Sequence, residues 1–317
     1  MPEAVGQETL IRSPAYAFSC RISSWPSLHG MMGLLSVSQA SPRILRSQAP
    51  FLVKPFLFFP MDFCAIITLS ITISTRKAML KLHKEGGAMS EIKERLAHVM
   101  ERIETAREKS PYHQQVTLVA VTKFHPIKDM EEAISLGVTH VGENRVQEME
   151  EKYQELSLPV TWHLQGHLQK NKVKKAVAMA DLIQSADSLS ILREIDKRAA
   201  EIDKVQDVLL EFNISGEESK TGLSPEDMKM AIDEAKSLSH VRVLGLMCMA
   251  PNYEDVEMTR PVFRKAHEMW EDMKKQFPEG QISILSMGMT HDFEQAIEEG
   301  ATMVRIGTAI FGSRVYH

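Results

Sequence analysis

The sequence predicts an α/β fold, a single (β/α)8 TIM barrel, on three observations. Eight short apolar runs recur over residues 89–317, and segments of helical period separate them. The turn after the first run, Lys123-Phe124-His125-Pro126, has no glycine, whereas a doubly wound open sheet usually opens on a glycine-rich turn.

The elements follow in order. A leading helix is expected over 90–107, with Ser90 as its N-cap and Ile92, Leu96, Val99 and Ile103 forming one apolar stripe. Strands are expected at 116–122, 140–142, 160–164, 182–185, 208–214, 241–249, 282–287 and 303–306. Between them, helical spacing appears in sets such as Ile127/Met130/Ile134, Val173/Val177/Ala180 and Phe263/Ala266/Trp270/Met273. Gly137 and Gly300 read as helix stops just ahead of the next strand. Only eleven residues follow Ile306, so the eighth helix is short and the leading helix is expected to cover that side.

Residues 1–88 read as a segment apart from the barrel. They have no sustained period, and nine Lys/Arg against four Asp/Glu leave them about +5 and the remainder about −10. Their most apolar stretch, 63–73, is too short to span a bilayer, so no membrane partner is expected. A signal peptide would place its apolar region near the start. Arg and Ser content suits a transit peptide, but Glu3 and Glu8 do not. Lys84-Glu85-Gly86-Gly87-Ala88 is what a purine-rich ribosome-binding run would encode if read in frame, so translation is expected to start at Met89. Otherwise 1–88 is a disordered extension.

Charged residues make up 25% of the 317 and the hydrophobic set 44%, as in ordinary globular chains. The acidic body argues against a nucleic-acid partner, because phosphate contacts need clustered Lys and Arg. Cys20, Cys64 and Cys248 have no paired spacing, which excludes a disulfide framework or thiolate zinc site and suits the cytoplasm.

Functional residues of this fold lie at the C-terminal ends of strands. The seventh and eighth ends read Ser286-Met287-Gly288-Met289-Thr290 and Arg305-Ile306-Gly307-Thr308. Glycines let backbone N–H groups approach an anion, and Ser286, Thr290 and Thr308 add hydroxyls, so the two loops read as a phosphate cradle or, without a ligand, as strand-exit turns. Lys123 ends the first apolar run. A lysine at a barrel mouth can attack a carbonyl once its amine is deprotonated. Lysine and phosphate cradle together are the minimum equipment for pyridoxal 5′-phosphate (PLP). Arg305 shares a strand face with Gly307 and is placed to donate to the pyridine nitrogen, or to pair with a mouth carboxylate such as Glu143. Asn144 reads either as a cofactor contact or as the N-cap of a helix over 146–156. No metal is expected: His163 and His167 are four apart, but Leu164 stands where a metalloprotease motif needs glutamate. The run 170–175 reads as a solvated helix face.

Val119-Ala120-Val121-Thr122-Lys123, Val141-Gly142-Glu143-Asn144, the run from Trp162 to Lys172, and the two loops just described resemble the pyridoxal phosphate homeostasis family, from about residue 90 onward. The resemblance implies a barrel of the alanine-racemase N-terminal-domain type without the C-terminal β-domain, usually monomeric. It implies a PLP Schiff base on Lys123, phosphate held around Ser286, Gly288, Thr290, Gly307 and Thr308, and Arg305 near the ring nitrogen. Family members buffer or deliver PLP, with PLP-dependent apo-enzymes as recipients. Lys220 is a candidate second aldehyde contact. The alternative is an amino-acid racemase, which needs two bases on opposite cofactor faces. Here the chain ends at His317 before a domain that would supply the second base, leaving His163 and Tyr253 as substitutes. A binding role is therefore expected, with no catalytic residue assigned.

Overall fold

The computed structural model describes residues 90–217 and 221–313. Within them, period-two alternation produces strands with one face toward the barrel axis and one toward a helix. The strands are β1 (Thr117–Val121), β2 (His140–Glu143), β3 (Thr161–Leu164), β4 (Leu182–Ala186), β5 (Gln206–Phe212), β6 (Val241–Cys248), β7 (Ile284–Ser286) and β8 (Met303–Ile306). They close in sequence order, every neighbour parallel, and β8 returns to β1 in register with Val119 opposite Arg305. The expected (β/α)8 barrel is the fold found.

Helices α1 (Glu91–Lys109), α2 (Ile127–Ser135), α3 (Val146–Glu155), α4 (Val173–Met179), α5 (Leu189–Ala200), α6 (Met228–Ser237), α7 (Arg260–Lys274), α8 (Phe293–Glu298) and α9 (Thr308–Phe311) surround it. Ser90 caps α1 as expected, accepting from the Lys93 N–H at 3.2 Å. The buried stripe Ile92, Leu96, Val99 and Ile103 lies against α8 and α9, so the leading helix does cover the side that the four-residue α9 leaves open.

Two cores result. Ala120, Val141, Trp162, Leu164, Ile183, Leu210 and Ile306 pack outward with the helices, while Val119, Leu182, Leu209, Met247 and Met303 fill the barrel interior. Above that interior layer the inward positions turn polar: His163, Gln184, Glu211, Ser286 and Arg305, all buried. Buried polar groups are stable only when paired. Their pairing shapes the floor of the site.

Three sequence expectations are corrected. The N-cap of α3 is Arg145, not Asn144. Glu143 does not face Arg305; it lies outside the barrel wall with Lys152 of α3. Strand β5 begins at Gln206 rather than at 208, because Gln206 pairs with Val241 of β6 and its main-chain N–H donates to the His240 carbonyl, while its buried side-chain Nε2 donates to the Asp181 and Asp207 carbonyls. Residues 1–89 and Lys220 lie outside the described residues. Among the described residues no helix is long and apolar enough to cross a membrane.

Candidate functional site

Strand parity aims Lys123 at the mouth, since Val119 lies in the interior layer and residues two apart share a face. Lys123 is half-buried, in the turn that follows β1. That turn is braced from behind. Lys152 Nζ donates to the Thr122 carbonyl at 2.6 Å, to Glu143 Oε1 at 2.8 Å and to Glu148 Oε1 at 2.8 Å. Glu148 in turn accepts the N–H of Phe124, which has a left-handed φ of 66°. The main chain on both sides of Lys123 is therefore held by one ion pair. Thr122 Oγ1 also donates to Glu143 at 2.5 Å. Burial pushes the Glu143 carboxyl up, with Lys152 and Thr122 working against that shift.

The two glycine loops lie side by side next to this turn. Arg305 N donates to the Gly288 carbonyl at 3.0 Å, which ties the β7 exit to β8. Gly288 has φ 90°, and a Cβ there would sit 2.6 Å from that of Ala296, so the loop takes its path only with glycine. A Cβ on Gly307 would come 3.0 Å from the Val121 carbonyl oxygen, which puts the β8 exit directly against the end of β1. Lys123, Gly288, Gly307 and Thr308 thus share one sector of the mouth, Thr290 following Gly288 by two residues and Thr308 exposed and opening α9.

Arg305 lies beneath them, only 4% exposed. Its Nη2 donates to the Cys248 carbonyl at 3.0 Å and its Nη1 to Ser286 Oγ at 2.7 Å. Burial lowers its pKa, opposed by Cys248, Asp292 and Glu211. Glu211 itself is raised to about 7, by burial first and Asp187 second. Ser286 is fully buried and its hydroxyl donates to Gln184 Oε1 at 2.6 Å. That hydroxyl, expected in the phosphate cradle, is used inside the barrel instead.

Asn144 lies one sector away, its Oδ1 accepting from Gln165 Nε2 at 3.5 Å. With Arg145, His167 and Lys172 it borders a cavity of about 510 Å³. Gln165 Oε1, which lies over Gly142 rather than in that cavity, is buried with no hydrogen bond, a polar atom that a ligand donor would satisfy. This orphan, the half-buried lysine and the glycine-bordered loops fit PLP.

His163 and His167 do not converge. His163 is inside the barrel against Gln184 and His140, while His167 is more than half exposed and pairs with Asp187 at 2.6 Å. Among the described residues no cluster could hold a metal. Burial, with a smaller push from His140, lowers the His163 pKa to about 3, so it is neutral. Tyr253 is exposed and borders a separate 200 Å³ cavity with Met289 and Asp292. Sequence reading missed Lys152 and Gln184. Glu148 and Lys152 at i, i+4 signal an ion pair, and a glutamine two residues after Leu182 signals an inward polar position.

A closed barrel with a mouth lysine and paired glycine loops defines the alanine-racemase class of PLP barrel, and the chain belongs to it. The family model for the alanine racemase N-terminal domain matches residues 95–315. An alanine racemase from Clostridium difficile shares the fold at 13% identity, TM-score 0.53, covering 68% of this chain and 55% of its own. Within that class the chain belongs to the pyridoxal phosphate homeostasis family. The Aquifex aeolicus member is 44% identical over 225 residues, 70% of this chain and 98% of the relative. The Escherichia coli K12 member is 38% identical over 237 residues, 72% and 99% of the two chains. PipY of Synechococcus elongatus, solved with PLP bound, is 35% identical with TM-score 0.62, covering 70% of this chain and all of its own.

Proposed function

We propose that this protein binds PLP as a Schiff base on Lys123 and serves intracellular vitamin B6 homeostasis by buffering or delivering it. The observation carrying this reading is the convergence of the braced Lys123 turn with the Gly288 and Gly307 loops in one sector of the mouth. PLP bound in PipY supports it, as does the homeostasis name of the relatives. When bound, PLP supplies an electrophilic aldehyde carbon and an electron-accepting ring. Lys123 is the amine that captures the aldehyde. Gly288, Thr290, Gly307 and Thr308 would hold the phosphate, and Asn144 would add a further cofactor contact. Arg305 faces the ring nitrogen and, as guanidinium, gives it no proton. Ser286 acts through Arg305.

A binding role is favoured over racemisation because the two substitute bases are badly placed. His163 is buried below Arg305's partners as a neutral imidazole, and Tyr253 is exposed, on a cavity it shares with Met289 and Asp292. PLP-dependent apo-enzymes are the recipients, in the cytoplasm, and the protein acts as a monomer. Residues 89–317 are the functional unit, a reading supported by a family match confined to 95–315. Mass spectrometry of the native protein should find Met89 or Ser90 at its start; a peptide from 1–80 would overturn that boundary.

The test of the cofactor reading is spectroscopic. Purified protein should show a visible Schiff-base band that borohydride abolishes, with the reduced cofactor on the Lys123 peptide. Lys123→Ala should lose the band and keep its fold, since a strand-exit lysine contributes little packing. Trapping mainly on another lysine sinks the assignment.

A further inference from the structure

Five polar side chains of the barrel, with Glu211 standing apart from them, form a single file. Arg305 Nη1 meets Ser286 Oγ at 2.7 Å, and Ser286 Oγ meets Gln184 Oε1 at 2.6 Å. Gln184 Nε2 meets His163 Nδ1 at 2.9 Å, and His163 Nε2 meets His140 Nδ1 at 2.9 Å. The file crosses from β8 through β7, β4 and β3 to His140, the first residue of β2 and so at the opposite end of the barrel.

We propose that Ser286, Gln184 and His163 are positioning residues that fix the Arg305 guanidinium beneath the cofactor through a one-way chain of hydrogen bonds. The proposal rests on the reading that Arg305 faces the PLP ring nitrogen.

The direction follows from donor counting. A guanidinium has five donors and no acceptor, so Ser286 Oγ must accept from Arg305 and turn its own proton to Gln184. With Gln184 Oε1 thus engaged, its NH2 group is the one facing His163, whose Nδ1 must then accept. A neutral imidazole with an accepting Nδ1 carries its proton on Nε2, where His140 Nδ1 receives it. The reversed amide would set two donors on Ser286 and leave its buried hydroxyl proton without an acceptor in the file. Protonation of His163 would set Nδ1–H against the Gln184 NH2. Burial opposes that protonation and holds both His163 and His140 below the usual imidazole range.

The file also decides where the guanidinium points. The other groups facing Arg305 are the Cys248 carbonyl on β6, Glu211 on β5 and Asp292 ahead of α8. Two of these are carboxyls, and without the Ser286 contact they draw the guanidinium away from the ring.

The experiment has an arm without cofactor. In the full-length apo protein, histidine ¹⁵N NMR should show His163 as the neutral Nε2–H tautomer across about pH 5–8. Gln184→Glu, which can only accept when ionised, should move the His163 proton to Nδ1. An Nδ1–H tautomer in the wild type, or no response in Gln184→Glu, overturns the chain whether or not PLP binds. The second arm follows the Schiff-base spectrum and PLP affinity. His163→Leu should shift the band's pH profile and weaken PLP about tenfold. His163→Asn keeps an acceptor near the Nδ1 position and should recover most of both. Equal loss in the two variants, or none in either, means His163 only fills space. Failure of the parent reading looks different: wild type would then show no Lys123-dependent band at all, with the tautomer result intact.

Discussion

Two buried polar clusters flank the wall between β1 and the barrel axis, and they are built on opposite principles. Outside the wall, Lys152, Glu143 and Glu148 form an ionic knot that grips main chain, the Thr122 carbonyl and the Phe124 N–H. Inside, Ser286, Gln184 and His163 form a neutral file that ends on one charge, Arg305. The outer cluster uses charge to hold a backbone turn; the inner one uses uncharged groups to hold a charge. Ionic knots fail when one partner is removed, because the remaining charge is left buried and uncompensated. A neutral file is sensitive to proton uptake, because each member has one acceptable protonation state.

Deleting a partner should therefore hit the outer cluster harder. Lys152→Met leaves Glu143, fully buried, and Glu148 facing each other, and should cost about 3–5 kcal/mol of unfolding free energy in denaturant titration. A loss below about 1 kcal/mol would mean that the knot is no more than a surface pair and the contrast collapses.

Acid should separate the clusters in the other direction. Unfolded His163 takes a proton near pH 6.5, whereas the folded group stays neutral down to about 3. Its stabilising effect is complete above 6.5 and drains away as pH falls toward 3, at up to about 1.4 kcal/mol per pH unit. His163→Asn, which has nothing to titrate, should flatten the stability curve between about pH 6.5 and 4. Unchanged slopes in the two proteins would show that His163 is not the proton acceptor.

The barrel and the inward aim of Arg305 were legible because both depend on local period. β8 has the predicted bounds, and Arg305 follows the interior Met303 by two residues. The pairings were not legible, since each depends on where distant strands lie. Ser286 reads as a phosphate hydroxyl until Gln184, 102 residues earlier, takes its proton. Glu143 reads as a partner for Arg305 because both stand near strand ends. Their side chains fall on opposite sides of the wall, and Lys152, nine residues on, reaches Glu143 first. Asn144 reads as a cap because its residue type favours one, yet Arg145 holds the cap position of α3 and the Asn144 side chain meets Gln165.

The seam between β1 and β8 also sets a clock. Lys123 follows β1 and Arg305 stands on the neighbouring β8, yet about 180 residues separate them along the chain. At ordinary rates of synthesis, on the order of 10–40 s pass between the making of one and of the other. Through that interval β1 has no β8 to pair with and the stripe of α1 has no α9 to cover it. On the proposed assignment, a nascent chain offers a reactive aldehyde only half a site, a lysine without its phosphate loops, so capture of the cofactor is expected of the released protein rather than of the ribosome-bound one.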